Sequence, residues 1–330
     1  MESTLKWYPH YYAIQDNKRD ANYLRCQHIP IPFDDQDDIE TLWNIHDTAL
    51  KQQHLKESKA TTSLLDLKIT IAEKLFQHCI FCEHRCGINR NESTGRCRVS
   101  TSHIASAFLH HGEESILTPS YTIFFSGCNL SCMFCQNHDI SQHQTGQHIP
   151  IEQMASLIEK QGQSDATNIN LVGGEPTPHL LYILKTLQHC STNLPVLWNS
   201  NMYCSIETMK LLDGIIDIYL TDFKFGNNHC AQQLAKISHY FNIVKRNHLL
   251  AANKSEILIR HLLLPNHIDC CTKPILSFVN KYLPQIPINL MNQYQPVYQA
   301  EQRSNINRCI TNKEENKAVQ YAKQLNLRIL

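Results

Sequence analysis

The spacing of apolar positions changes character along the chain. Ile39, Leu42, Trp43, Ile45, Ala49 and Leu50 recur at near-helical intervals. The acidic run DDQDD at 34–38 precedes them and suits the positive end of a helix dipole. Leu64, Leu67, Ile71 and Leu75 repeat the helical pattern. From about Ser102 onward, short runs rich in β-branched and aromatic residues alternate with helical stretches. Strands are predicted over 121–125, 168–174, 195–199, 215–223, 256–265 and 287–293. Helices are predicted over 151–159, 179–189, 205–212, 229–252, 272–283 and 313–325.

The strands are nearly continuous apolar runs, as expected of a parallel sheet whose outer face is covered by helices. About six βα units are too few to close an eightfold barrel. The predicted fold is therefore α/β, an open partial (β/α)6 TIM-like barrel with an N-terminal helical extension and a Cys-rich knuckle. The expected organisation is an extension over 1–75, the knuckle over 76–115 and the barrel over 116–330. In such folds sites form at the C-terminal ends of the strands. A cysteine loop after 121–125, Gly173–Gly174–Glu175, Asn199–Ser200–Asn201 and Asp222–Phe223–Lys224 all fall at predicted strand ends.

Charge narrows the function classes. Lys plus Arg and Asp plus Glu balance at 30 each, so no net basic field points to nucleic acid. There is no run of 18 apolar residues and no secretory pattern at the N-terminus, so the expected compartment is the cytoplasm, with no membrane span. Nineteen histidines lack the spacing of a helical metal motif and read as surface or core residues.

The 14 cysteines change the picture most. Clustered cysteines in a cytosolic chain point to metal or iron–sulfur centres rather than disulfides. Cys128, Cys132 and Cys135 form C-x3-C-x2-C in FFSGCNLSCMFCQN (124–137). Three thiolates on a [4Fe–4S] cubane leave one iron open, and an open metal position is where a ligand coordinates. Phe134 is placed to pack against a flat ring bound there. A zinc knuckle, or a ferredoxin-like carrier with its fourth ligand elsewhere, also fits the spacing. In GGEP (173–176) the glycines allow close backbone approach to a ligand, and Glu175 can accept a hydrogen bond from an ammonium group.

Cys79, Cys82, Cys86 and Cys97 form a second group, C-x2-C-x3-C-x10-C. Gly87 and Gly95 permit tight turns, and Arg85, Arg90, Arg96 and Arg98 bring positive charge that favours thiolates. Four thiolates suit a structural zinc or an auxiliary [4Fe–4S] cluster, and both readings stay open. The other seven, Cys26, Cys190, Cys204, Cys230, Cys270, Cys271 and Cys309, read as small buried hydrophobes.

In this order and register the motifs resemble the radical S-adenosylmethionine (radical SAM) enzymes, over roughly residues 79–325. Within them the chain is similar to the pyruvate formate-lyase-activating-enzyme-like group of iron–sulfur proteins. CEHRCGINRNESTGRC (82–97), AFLHHGEES (107–115), the three-cysteine loop, NINLVGGEPTPHL (168–180), LLDGIIDIYLTDFK (211–224), LIRHLLLP (258–265) and NLMNQYQP (289–296) carry the resemblance.

The resemblance implies a catalytic [4Fe–4S] cluster on Cys128, Cys132 and Cys135, where S-adenosylmethionine is reductively cleaved to a 5′-deoxyadenosyl radical. It implies that Gly173, Gly174 and Glu175 hold the methionine ammonium and that Asn201 contacts ribose or carboxylate. Asp222 and Lys224 match a D-x-K element near the cofactor or a bound cation, and Arg260 faces the same site. An Asp–Lys or Arg ion pair that merely closes a charge remains the alternative for these three. Gln293 and Tyr294 fall where such folds touch adenine, and the segment 111–114 falls on the substrate side. The implied electron donor is of flavodoxin or ferredoxin type. The implied substrate is a glycyl-radical-type protein. A small molecule or another peptide is the second reading, and a non-catalytic iron–sulfur electron carrier the third. An activase needs an open cleft to admit a peptide loop; against that reading, the extension and knuckle are not needed by the simplest activating enzymes and are expected to be able to cover the cleft.

Overall fold

The computed structural model describes residues 7–52 and 60–330. Four helices come first: α1 (Pro9–Gln15), α2 (Asn22–His28), α3 (Ile39–Gln52) and α4 (Leu64–Gln77). Asp38 caps α3 by accepting from the Glu40 and Thr41 amides, both at 2.9 Å. A Ser63–Asp66 capping box starts α4. The short helices α1 and α2 carry no long apolar period and were not foreseen.

A seven-stranded sheet follows, in sequence order from β1 to β7. Strands β2 (Ser120–Phe125), β3 (Ile169–Gly173), β4 (Val196–Ser200), β5 (Ile218–Asp222), β6 (Glu256–Leu262) and β7 (Ile288–Met291) are all parallel. These are the six expected units. The edge strand β1 (Ile104–His110) pairs antiparallel with β2 and was not foreseen. The expected helix over 229–252 is two helices, α9 (Asn228–Ala235) and α10 (Tyr240–Ala252). Lys236 and His239 break it with left-handed φ values of 60° and 54°.

Side chains alternate between the two faces of each strand. Ile123, Phe125, Leu171, Trp198, Tyr219, Ile257 and Ile259 belong to the main core with the covering helices. Leu197, Ile218, Leu220 and Leu258 face the bore of the partial barrel, where Tyr8, Tyr11 and Leu117 close its base. Glu256 fixes this plug by accepting from the His10 and Tyr11 amides at 2.8 and 2.9 Å. Among the described residues no helix is long and apolar enough to cross a membrane.

Candidate active site

Parallel strands deliver their C-terminal loops to one edge, so residues remote in sequence meet there. Cys128, Cys132, Phe134 and Cys135 come from the loop after β2, and Gly173, Gly174 and Glu175 from the end of β3. Asn201 follows β4, Asp222 and Lys224 end β5, and Arg260 lies on β6. All of them line one cavity of about 390 Å³, within the size range of small-molecule sites.

The cysteine loop is clamped on two sides. The Ser131 and Met133 amides donate to the Ala235 and Leu234 carbonyls at the end of α9, at 3.1 and 2.8 Å. On the other side His84 Nε2 lies 2.7 Å from the Asn129 carbonyl. At Gly127 φ is +98°, and a Cβ there would lie 2.3 Å from Val99.

The sulfurs already have donors. The Leu130 amide and Asn201 Nδ2 point at Cys128 Sγ at 3.4 and 3.8 Å. The Ser141 hydroxyl lies 3.2 Å from Cys135 Sγ. Burial pushes the Cys128 thiol well up and that of Cys132 up to about 12, so both need a cationic partner to ionise. The three sulfurs are not gathered within 4.8 Å of one another, as the one compact trio among the described residues is. That spread suits the separate corners of a cubane better than one tetrahedral ion. The donor set therefore fits a [4Fe–4S] cluster with an open corner.

The glycines also have a packing reason. A Cβ on Gly173 (φ +113°) would lie 2.1 Å from the Phe125 nitrogen, and one on Gly174 would lie 2.1 Å from the Gly127 oxygen. They let the end of β3 press on the backbone of β2 and the cysteine loop, and so bring Glu175 beside Cys128.

Glu175 is 1% exposed. Its Oε1 accepts from the Thr177 and Ser200 hydroxyls, each at 2.6 Å, and its Oε2 from the Asn201 amide at 2.9 Å. Burial raises its pKa, against the pull of these bonds. The carboxylate is thus oriented by neutral donors and, among the described residues, has no cationic partner.

The far wall is ionic. Asp222 contacts Lys224 at 2.7 Å and Arg260 Nε at 3.0 Å. Burial would raise the Asp222 carboxyl, but the two cations outweigh it and hold it at about 2. Arg260 also contacts Glu113 Oε2 at 3.0 Å and donates to Asn199 Oδ1 at 2.5 Å. Asn170 and Asn199 donate to Glu113 Oε1 at 3.1 and 3.3 Å. The ion pairs do form, and the paired side chains line the cavity.

Glu113 belongs to the segment after β1, which crosses the bore and forms the cavity floor above Leu117. His110 Nδ1, Glu114 Oε2 and Asn170 Oδ1 near this floor are buried without a partner among the described residues. Asn170 was missed. Its signal was a polar residue alternating within an otherwise apolar strand.

Two other expectations are corrected. Gln293 lines the cavity, but Tyr294 does not. Its hydroxyl bonds the Ile306 carbonyl at 2.7 Å while its ring packs edge-on behind Phe134. Of the knuckle arginines, Arg90 favours the Cys79 thiolate against its burial, but the hydrogen bonds of all four go elsewhere. Arg90 donates to the Val99 and Pro178 carbonyls, Arg85 pairs with Glu207, Arg96 bonds the Lys236 carbonyl and Arg98 the Gln142 carbonyl. They tie the knuckle to the barrel.

Within the knuckle, Cys79 N donates to the Ile88 carbonyl and Gly87 N to the Cys79 carbonyl, both at 2.9 Å. Cys82 forms a backbone bridge with Cys204. Burial raises the Cys79 and Cys82 thiols, and the charges of neighbouring knuckle cysteines add to it.

Among the scattered cysteines, Cys26, Cys190 and Cys204 are buried as expected, whereas Cys270 and Cys309 are exposed. Cys230, Cys270 and Cys271 are brought together, all three sulfurs within 4.8 Å of one another. The sequence reading missed this because residue 230 lies one βα unit before the other two.

An α/β partial barrel with three cysteines and an oriented carboxylate at its strand ends is the architecture of a metal-cofactor enzyme. Residues 122–279 match the Radical SAM superfamily. An uncharacterized protein of Methanocaldococcus jannaschii is 44% identical over 333 residues, covering 97% of this chain and 98% of that one. The pyruvate formate-lyase-activating enzyme of Staphylococcus aureus is 23% identical over 177 residues, covering 48% of this chain and 69% of that enzyme. The crystal structure of SuiB from Streptococcus suis superposes with a TM-score of 0.48 at 12% identity, covering 63% of this chain and 47% of that one. The chain belongs to the radical SAM superfamily.

Proposed function

We propose that this protein is a radical SAM enzyme working in the cavity at the strand ends, and that it activates a glycyl-radical-type protein. The observation that carries the enzyme reading is the meeting of Cys128, Cys132, Cys135 and Glu175 in one buried cavity. A carrier of electrons alone has no use for the buried, oriented carboxylate or the ionic wall.

Cys128, Cys132 and Cys135 hold the cluster, and Asn201 donates toward Cys128. Glu175 accepts from the ammonium of S-adenosylmethionine, with Gly173 and Gly174 setting its approach. Asp222, Lys224 and Arg260 bind polar groups of the cofactor, and Phe134 packs on its flat part. When bound, the cluster and cofactor supply reductive cleavage of the S–C5′ bond to a 5′-deoxyadenosyl radical. The surrounding wall keeps water from that chemistry. A low-potential donor of flavodoxin or ferredoxin type supplies the electron.

Two observations support the activase reading. One is the similarity to an activating enzyme. The other is that residues lining the cavity begin at His110, so neither the described N-terminal helices nor the knuckle cysteines wall it. The extension packs on the base and the outer helices instead of covering the cleft. The ionic floor of Arg260 and Glu113 favours a second reading, a small polar substrate held against it.

The test is anaerobic reconstitution with iron and sulfide, then dithionite and S-adenosylmethionine, with assay of 5′-deoxyadenosine. Product supports the enzyme reading. A fully loaded, reduced protein that neither forms product nor shows cofactor binding by electron paramagnetic resonance would sink it. Pyruvate formate-lyase is then added as the probe substrate. A glycyl-radical doublet supports activation, and cofactor cleavage without a doublet moves the reading to the small-molecule class.

A further inference from the structure

Cys230, Cys270 and Cys271 lie outside the lining of the cavity, and nothing in the proposed chemistry uses them. Cys230 is at the start of α9, while Cys270 and Cys271 lie in a π-helical turn, Ile268–Thr272, after β6. Their sulfurs all lie within 4.8 Å of one another, and Cys230 Sγ and Cys270 Sγ are 3.8 Å apart. A tetrahedral ion with metal–sulfur bonds near 2.3 Å spaces two thiolates ~3.8 Å apart. A disulfide needs about 2.05 Å.

A histidine stands near them, outside that compact group of sulfurs. The His267 ring lies close enough to Cys230 to bear on its thiol. Its Nδ1 lies 2.7 Å from the Pro265 carbonyl, which can only accept, so Nδ1 carries the proton. Nε2 is left with its lone pair free for a metal, the arrangement in which metal-bound histidines are usually held. The sulfurs also have supporting donors. Asn227 Nδ2 approaches Cys230 Sγ at 3.2 Å and Cys271 Sγ at 3.9 Å. Such N–H···S bonds orient ligating thiolates. Cys230 and Cys271 are buried, and Cys270 sits at the solvent edge, which gives an ion a path in.

We infer that Cys230, Cys270 and Cys271 form a second metal site for one zinc-class divalent ion, and that His267 is drawn in as the fourth ligand when the ion binds, giving a tetrahedral S3N set. Binding releases the three thiol protons to solvent and changes no oxidation state. The complex carries one net negative charge. The site is mononuclear because its sulfurs are too close together for the corners of a cubane. It fastens the start of α9 to the turn after β6. The other end of α9 holds the catalytic cysteine loop through the Leu234 and Ala235 carbonyls. The ion thus steadies that loop from behind.

The experiment is zinc and iron counting per chain on the full-length protein, isolated anaerobically from zinc-supplemented cells. Wild type is compared with Cys270→Ser and His267→Ala. Counting by difference removes any zinc in the knuckle. Each variant is expected to hold one zinc fewer than wild type, with iron unchanged. Equal zinc in all three, or loss of iron in place of zinc, overturns the assignment. So does a Cys230–Cys270 disulfide found by alkylation mapping of the anaerobic protein. A readout on the wild-type chain alone guards against variants that fail to fold. After cadmium exchange, its cadmium-113 NMR spectrum should contain a resonance of S3N type, and its absence overturns the site.

Discussion

The base and the cavity of the bore are built on the same faces of the same strands, with opposite chemistry. At the base, Leu197, Ile218, Leu220 and Leu258 meet Tyr8, Tyr11 and Leu117. The Tyr11 hydroxyl accepts from Asn168 Nδ2 at 2.8 Å. Further along those strands the same faces carry Asn199, Asp222 and Arg260, joined in an ionic network with Glu113. Among the described residues the base keeps one partnerless buried atom, the Tyr8 hydroxyl, whereas the floor above it keeps three. Apolar burial stabilises the base without needing a partner. Partnerless polar atoms are costly and persist where a ligand or water completes them. One end of the bore thus holds the fold, and the other waits for chemistry.

Five substitutions test this division. The largest effect is expected at the mouth. Cys132→Ala should abolish 5′-deoxyadenosine formation while the apo chain melts close to wild type, and surviving cleavage would remove the loop from the site. Next comes the base. Tyr11→Ala, at a fully buried side chain, should cost about 3–5 kcal/mol by chemical denaturation. Cleavage per folded molecule should persist, and a parallel fall in both would show that the two ends are not separable.

Arg260→Met touches the seam between them. It strands Glu113, leaves Asp222 with Lys224 alone, and should cost about 3 kcal/mol together with cofactor cleavage. Adding Glu113→Gln should recover part of the stability, and strictly additive losses would mean the pair is uncoupled. The smallest effect is at Glu175. Glu175→Gln should weaken S-adenosylmethionine binding about tenfold, ~1.4 kcal/mol, with little change in melting. Unchanged affinity in calorimetry would take Glu175 out of the cofactor site.

Much of the cavity was legible because its parts are local. C-x3-C-x2-C, GGE and D-x-K each sit within one loop, and the strand–helix alternation places those loops at one edge. The antiparallel β1 was not legible. Its sequence, IASAFLH, has partly exposed positions and little of the apolar continuity of the parallel strands. Tyr294 lies in irregular chain beyond β7, where no periodicity tells which side a residue faces, and its hydroxyl is held by the Ile306 carbonyl.

The sequence by itself determined the barrel class, the three-cysteine loop and the family, because hydrophobic period and motif spacing act over a few residues. Only the tertiary structure decided which polar groups meet across the bore and which cysteines meet outside it. Glu113 reaches Arg260 through a chain crossing from the sheet edge, and Cys230 reaches Cys270 and Cys271 through an intervening βα unit. Such encounters depend on how helices and strands pack at long range, which no local spacing encodes.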